Sequence, residues 1–184
     1  MIECMHGIIL AELKMFVEAK LGAGVWDRLL ASSETEASSY KTTQSYPDEE
    51  VRKIVAAVSS HTRLTADAIF EDFGEFVAPH LLAMYQALVR PEWKTLDVVE
   101  HTEETIHAVV REQHPHALPP FLRVHRTAPG EIVIFYDSPR KLCFIAKGIV
   151  KGLGRTFGED IRITEKRCMH AGAPDCTLVI SSED

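Results

Sequence analysis

Two adjacent prolines, Pro119 and Pro120, divide this chain into two textures, and any fold it adopts must respect that division. Upstream, apolar residues recur at helical spacing. Gly7 to Leu30 carries Ile8, Ile9, Phe16, Val17, Val25, Trp26, Leu29 and Leu30, with Gly22 and Gly24 breaking it into two helices. Ser32 to Tyr46, rich in Ser, Thr and Glu, reads as a loop. Pro47-Asp48-Glu49-Glu50 opens a helix running to about Ser60, its acids at the positive end of the dipole. Thr65 caps a helix from Ala66 to about Val77, and Pro79 allows a fresh helical start through Leu81 to Val89. After Pro91, Thr95 to Gln113 forms another helix.

Downstream of the prolines, Phe121 to Thr127 and Glu131 to Tyr136 read as strands joined by the Pro129-Gly130 turn. Lys141 to Phe157 is an apolar helix ended by Gly158. Asp160 to Met169 and Asp175 to Ser181 make a second hairpin. The predicted class is α+β: a helical N-terminal half followed by a C-terminal lobe of antiparallel strands and helices. The expected organisation is a single domain over 1–184, with a helical subdomain over about 1–62 and a larger one over about 63–184.

Charge and hydropathy narrow the function classes. The net charge is −7 and the basic residues are scattered, so a phosphate backbone would be repelled and nucleic acid is not expected as a partner. Lys147, Lys151 and Arg155, four residues apart, read as a solvated helix face. No run reaches the length of about 18 apolar residues that spans a bilayer, and Met1 to Leu10 does not read as a signal peptide, so a cytoplasmic protein without membrane insertion is expected. Glu103-Glu104 and Asp48-Glu49-Glu50 read as helix-surface acids. With no nucleophile beside a base and no phosphate loop, the chain does not read as an enzyme.

Among nine histidines, His107 stands out because it borders the stripe of Leu96, Val99, Ile106 and Val110. That places its imidazole at the core margin, where a neutral ring suits an axial metal ligand. His101 is its nearest rival; His114 and His116 flank Pro115 in an expected exposed loop. In an extended segment Tyr136, Ser138 and Arg140 fall on one face, about 7 Å apart in turn. They read either as a grip for carboxylates or as a strand end with a surface Arg.

The stretch Glu104-Thr105-Ile106-His107-Ala108-Val109-Val110-Arg111, then Leu118-Pro119-Pro120, then Tyr136-x-Ser138-x-Arg140, resembles the haem nitric-oxide/oxygen-binding (H-NOX) family. Met5-His6-Gly7-Ile8-Ile9, Val25-Trp26 and Phe73-Gly74 fit its N-terminal half, so the resemblance spans nearly the whole chain, as in the standalone bacterial members. It implies a haem b cofactor with His107 on the iron, Tyr136, Ser138 and Arg140 on the propionates, and Pro120 and Ile9 pressing on the porphyrin. The distal positions it assigns are Leu13, Val77 and Ile145, all apolar. Bound oxygen needs a hydrogen-bond donor far more than nitric oxide or carbon monoxide does, so the resemblance implies a nitric-oxide sensor. In the family, nitric oxide binds ferrous iron trans to the histidine, weakens that bond and shifts the N-terminal helices. Output is then expected through a separate protein, a histidine kinase or a cyclic-di-GMP enzyme.

Cys143, Cys168 and Cys176 lie on one helix and one hairpin and could converge. Three thiolates with His170 or Glu165 as fourth ligand would suit tetrahedral zinc; the other reading is three small core residues. Some bacterial H-NOX relatives carry such a site, linked to thiol oxidation, so a redox sensor with haem secondary is the alternative function. Cys4 is expected to be incidental.

Overall fold

The computed structural model describes residues 4–33, 35, 39–114 and 117–183. A short strand, β1 (Cys4–His6), leads into α1 (Gly7–Leu21), whose N-terminus is capped by the His6 side chain. After the Gly22–Gly24 turn come α2 (Val25–Ser32), β2 (Ser45–Pro47, antiparallel to β1) and α3 (Asp48–Thr62). Next is α4 (Ala66–Met84), capped by Thr65. Buried Leu10, Leu13, Phe16, Val17, Ile54, Val55, Ile69 and Phe73 knit these helices into one apolar cluster. The bulk of that cluster is what stabilises helices that are individually marginal.

Pro79 does not end its helix. α4 runs through it and is followed by a 3₁₀ turn, Gln86–Leu88, where a new helix to Val89 was expected. A proline inside a helix costs about 3 kcal/mol, because it lacks an N–H and crowds the carbonyl four residues back. The offset is the packing of α4 on α7 (Cys143–Phe157). Gly74, Gly148 and Gly152 lie at this crossing, and a methyl group on any of them would collide with a backbone carbonyl of the facing helix: Ile145, Glu71 and Glu75 respectively. Lys151 and Arg155 pair with Glu71 and Glu75 of α4, and Lys147 with Glu165, so the expected solvated face is a row of ion pairs.

The helix expected over Thr95–Gln113 is three pieces: α5 (Thr95–His101), a π turn over Glu103–His107, and α6 (Ala108–Gln113). Beyond Pro120, β3 (Phe121–Ala128), β4 (Glu131–Asp137), β5 (Asp160–Arg167) and β6 (Cys176–Glu183) form an antiparallel sheet ordered β3-β4-β6-β5. Its register aligns Ile132 with Ile180, Ile134 with Leu178 and Tyr136 with Cys176, all buried. Period-two alternation thus puts one sheet face against α5 and α7 and makes a second apolar cluster. α4 contributes Val77 to the first cluster and Ala78 to the second.

Candidate haem pocket

A cavity of about 530 Å³ opens where the two clusters meet. Ile9, Phe73 and Val77 line it from the N-terminal helices, Val99, Ile106, His107 and Val110 from the α5–α6 segment, and Ile134, Tyr136 and Ile145 from the sheet and α7. Its size lies within the range of about 300–1,000 Å³ typical of small-molecule sites, and its wall is mostly apolar with few polar groups.

The π turn is what aims His107. The lining residues Val98, Thr102, Ile106, Val110 and His114 recur every four positions. In a regular helix of 3.6 residues per turn such a row drifts by about 40° at each step. One π turn, with the His107 N–H bonded to Thr102 O at 2.9 Å, unwinds the segment and returns the row to the cavity.

The His107 side chain is 14 % exposed and its Nδ1 lies 2.9 Å from Glu103 Oε2. Burial pushes the imidazole below its ordinary pKa, with Glu103 and the Pro120 carbonyl opposing. Burial alone would raise Glu103, but bonds from His107, the Leu122 N–H at 3.0 Å and Arg111 at 2.7 Å outweigh it and hold the carboxyl below its usual range. An ionised carboxylate only accepts, so Nδ1 of the neutral ring carries the proton and Nε2 is left with its lone pair.

β4 stops at Asp137, so Ser138 and Arg140 belong to a turn rather than to an extended strand, and Lys141 follows at φ 54°. Tyr136 and Ser138 are buried at the cavity edge. Burial pushes the Tyr136 phenol well above its ordinary pKa, against bonds from Ser138 and the Leu142 backbone. Arg140 also lines the cavity, but its guanidinium turns to the N-terminal region. Nη2 donates to Cys4 O at 2.6 Å, and Nε lies 2.8 Å from Asp48 Oδ2, off the line of a hydrogen bond and so chiefly Coulombic.

Most expected site residues therefore converge: His107, Pro120, Tyr136, Ser138, Arg140, Ile9, Val77 and Ile145 all line one cavity. Leu13 does not. It is buried in the N-terminal cluster, one turn along α1 from Ile9. His101 stacks on Trp93 and bonds Glu104, away from the cavity. His114, expected exposed, lines the cavity with its ring centroid 4.5 Å from that of His6, because the four-residue row carries it there. His116 lies outside the described residues.

Of the acids expected on helix surfaces, Glu49 and Glu104 are exposed and the other three are not. Asp48 and Glu50 are buried, one beside Arg140 and the other accepting from Tyr40 at 2.6 Å, and Glu103 is only 20 % exposed. The i, i+4 spacing of Glu103 and His107 was the available signal for the last. Cys4 takes part through its main chain, supplying the carbonyl that Arg140 binds, a role open to any residue there.

Cys143, Cys168 and Cys176 bring their sulfurs within 4.8 Å of one another, with contacts of 3.8 and 3.5 Å. Four sulfurs at 2.3 Å from a tetrahedral zinc would be about 3.8 Å apart, so the thiol geometry fits the ion. His170 does not join them: its Nε2 lies 2.8 Å from Lys141 O, and Glu165 pairs with Lys147. No helix among the described residues is long and apolar enough to cross a membrane.

Comparison with known proteins places these features. The family described as Haem-NO-binding matches residues 6–165. The chain is similar to an H-NOX protein from Shewanella oneidensis, solved in the Fe(II)NO ligation state, with 28 % identity and a TM-score of 0.90 over 98 % of this chain and all of that one. An unliganded Fe(II) H-NOX protein from K. algicida, 21 % identical over 98 % of this chain and 97 % of that one, shares the fold with a TM-score of 0.87. "Soluble guanylate cyclase 89Da" of Drosophila melanogaster is 24 % identical over 137 residues, 74 % of this chain. The chain spans about a fifth of the length of that relative.

Proposed function

The chain belongs to the haem-NO-binding family, whose H-NOX members are haem-based gas sensors, and on that premise we propose that it is a cytoplasmic nitric-oxide sensor built on haem b. One observation carries the reading. His107 lines a mostly apolar cavity with Nδ1 committed to Glu103, which leaves Nε2 as the nitrogen for iron. A ferrous haem held there supplies the open iron position at which a diatomic gas binds.

Tyr136, Ser138 and Arg140 would hold the propionates, Arg140 by releasing part of its guanidinium from Asp48 and the Cys4 carbonyl, and Pro120 and Ile9 would supply apolar contacts to the ring. Val77 and Ile145 offer a gas no hydrogen-bond donor, which favours nitric oxide and carbon monoxide over oxygen; Leu13 backs that wall from the core. The signal is a movement of the helical part, about 1–62, against the part over about 63–184. A separate histidine kinase or cyclic-di-GMP enzyme reads it, and the chain itself is a sensor without catalysis.

The test is a visible spectrum of the purified ferrous protein. A Soret band that shifts with nitric oxide, forms no stable complex in air, and is lost or altered in His107→Gly supports the reading. A colourless protein that refuses hemin, or a stable oxy spectrum, refutes the haem or the gas assignment respectively.

A second reading rests on the three convergent thiols: a zinc site whose oxidation is sensed, with haem secondary. Burial pushes the Cys143 and Cys176 thiols above their ordinary pKa, the neighbouring sulfurs adding to it at Cys143 while the Met169 N–H and Cys143 oppose it at Cys176, so a cation that deprotonates them is what would settle the cluster. Its fourth ligand would be His170 or Glu165, either after release from its present partner.

A further inference from the structure

We propose that Glu103 is the positioning residue that sets the strength of the His107–iron bond and ties that bond to strand β3. The inference rests on the haem reading above. Glu103 is not among the cavity-lining residues, so it would act only through His107.

Two hydrogen-bond donors and one cation converge on this one carboxylate. Oε2 takes the imidazole Nδ1 at 2.9 Å and the Leu122 N–H at 3.0 Å, and the Arg111 guanidinium forms an ion pair with Oε1 at 2.7 Å. Each partner comes from a different piece of structure: the π turn, the start of β3 just past Pro120, and α6. The pair is largely buried, at 14 % and 20 % exposure, so water competes weakly for either group.

Two consequences follow from carboxylate chemistry. A carboxylate accepting the far N–H of a ligand imidazole makes the near nitrogen a stronger donor to metal, and fixes both the tautomer and the ring orientation. Arg111 opposes this by drawing the charge of the same carboxylate toward itself; its Nη2 also donates to Pro120 O at 3.3 Å. Glu103 and Arg111 are thus a push and a brake on one bond. Because Leu122 shares Oε2 with His107, any displacement of the imidazole also disturbs the backbone that carries Pro120 into the sheet.

The experiment compares wild type, Glu103→Gln and Arg111→Met as full-length, haem-loaded proteins. Resonance Raman reads the iron–histidine stretch of the ferrous protein, and stopped flow reads how fast nitric oxide displaces the imidazole. Glu103→Gln keeps an oxygen for the Leu122 N–H but loses the charge. It should lower the stretching frequency and speed displacement by about 10-fold or more, the lower end for a lost outer-shell partner.

Arg111→Met, at an exposed position, should move both readouts the opposite way. A purely structural role cannot give opposite signs from two substitutions on one carboxylate. An iron–histidine frequency unchanged from wild type and displacement rates within twofold in both variants, with haem bound and His107 on the iron, would overturn the inference and leave the haem reading intact. Absence of any iron–histidine band in wild type would overturn the haem reading itself.

Discussion

Removing the Asp48 carboxylate should cost this protein far more than a surface ion pair is worth. Asp48 and Arg140 are 6 % and 11 % exposed, and the guanidinium is otherwise held by the Cys4 carbonyl. Asp48→Ala would leave a buried cation without its counter-charge, a loss of about 3–5 kcal/mol, against about 0–1 kcal/mol for an exposed pair. Asp48 also stands in the first turn of α3, where its charge is worth a further ~0.3–1 kcal/mol through the helix dipole. For a domain of this size each kcal/mol moves Tm by about 2–4 °C, so the combined loss predicts a fall of roughly 7–24 °C. The measurement is thermal and urea unfolding of the haem-free protein, since bound haem would add its own linkage. Asp48→Ala/Arg140→Ala should be less destabilised than Asp48→Ala alone, because the uncompensated cation has gone. A single variant within about 1 kcal/mol of wild type, or a strictly additive double, would refute the argument that this buried pair ties β4 to α3.

Gly148→Ala should destabilise despite the helix propensity it gains. Alanine is worth about 1 kcal/mol over glycine in a helix, but the new methyl meets the Glu71 carbonyl, and overpacking of this kind costs about 1–3 kcal/mol. A rise in Tm would contradict the crossing geometry. In the cavity wall, burial and the His114 ring hold His6 below its ordinary pKa of about 6.5. The neutral ring's contribution is complete above pH 6.5 and is lost as pH falls through the lower folded value. His6→Asn, which can still cap α1, should therefore shrink the stability lost between pH 8 and pH 5.5; an unchanged loss counts against it. Reduced protein should carry one zinc per chain by elemental analysis, and Cys168→Ser should lose it; no zinc in the wild type removes the second reading.

Most of the architecture was legible because it rests on local signals. Gly22, Gly24 and Gly158 mark real breaks, Thr65 is a real cap, and the Pro129-Gly130 hairpin forms where its turn residues demand. What failed depends on contacts distant in sequence. Pro79 is a sound helix breaker in isolation, and only the glycine-lined bed of α7 keeps α4 continuous. Asp48 and Glu103 look like ordinary helix-surface acids until Arg140 and Leu122 are folded against them, 92 and 19 residues away in sequence. The π turn left only a faint trace, since its four-residue row mixes apolar Val98, Ile106 and Val110 with polar Thr102 and His114 and so does not register as a hydrophobic period. Leu13 was placed by resemblance alone, and α1 carries it past the cavity.

Three polar ties ring a cavity that is otherwise apolar, and this contrast decides where a signal can travel. Arg140–Asp48 joins the β4 turn to α3, His6–His114 joins the start of α1 to the end of α6, and Glu103–Leu122 joins the π turn to β3. An apolar atom pair gains only ~0.1–0.2 kcal/mol, so the lining can slide by degrees at small cost. Of the three, only Leu122 N–H to Glu103 is a charge-assisted hydrogen bond, worth ~1.5–3 kcal/mol and either made or broken, whereas Arg140–Asp48 is Coulombic and His6–His114 is a ring contact. A shift of His107 should therefore register first as a change at Glu103–Leu122, and only then at the other two ties. Hydrogen exchange gives the order: on adding nitric oxide to ferrous protein, the Leu122 amide should lose protection before the amides of α1 and α3. Equal loss across the apolar lining, with Leu122 unmoved, would mean that the packed core itself carries the signal.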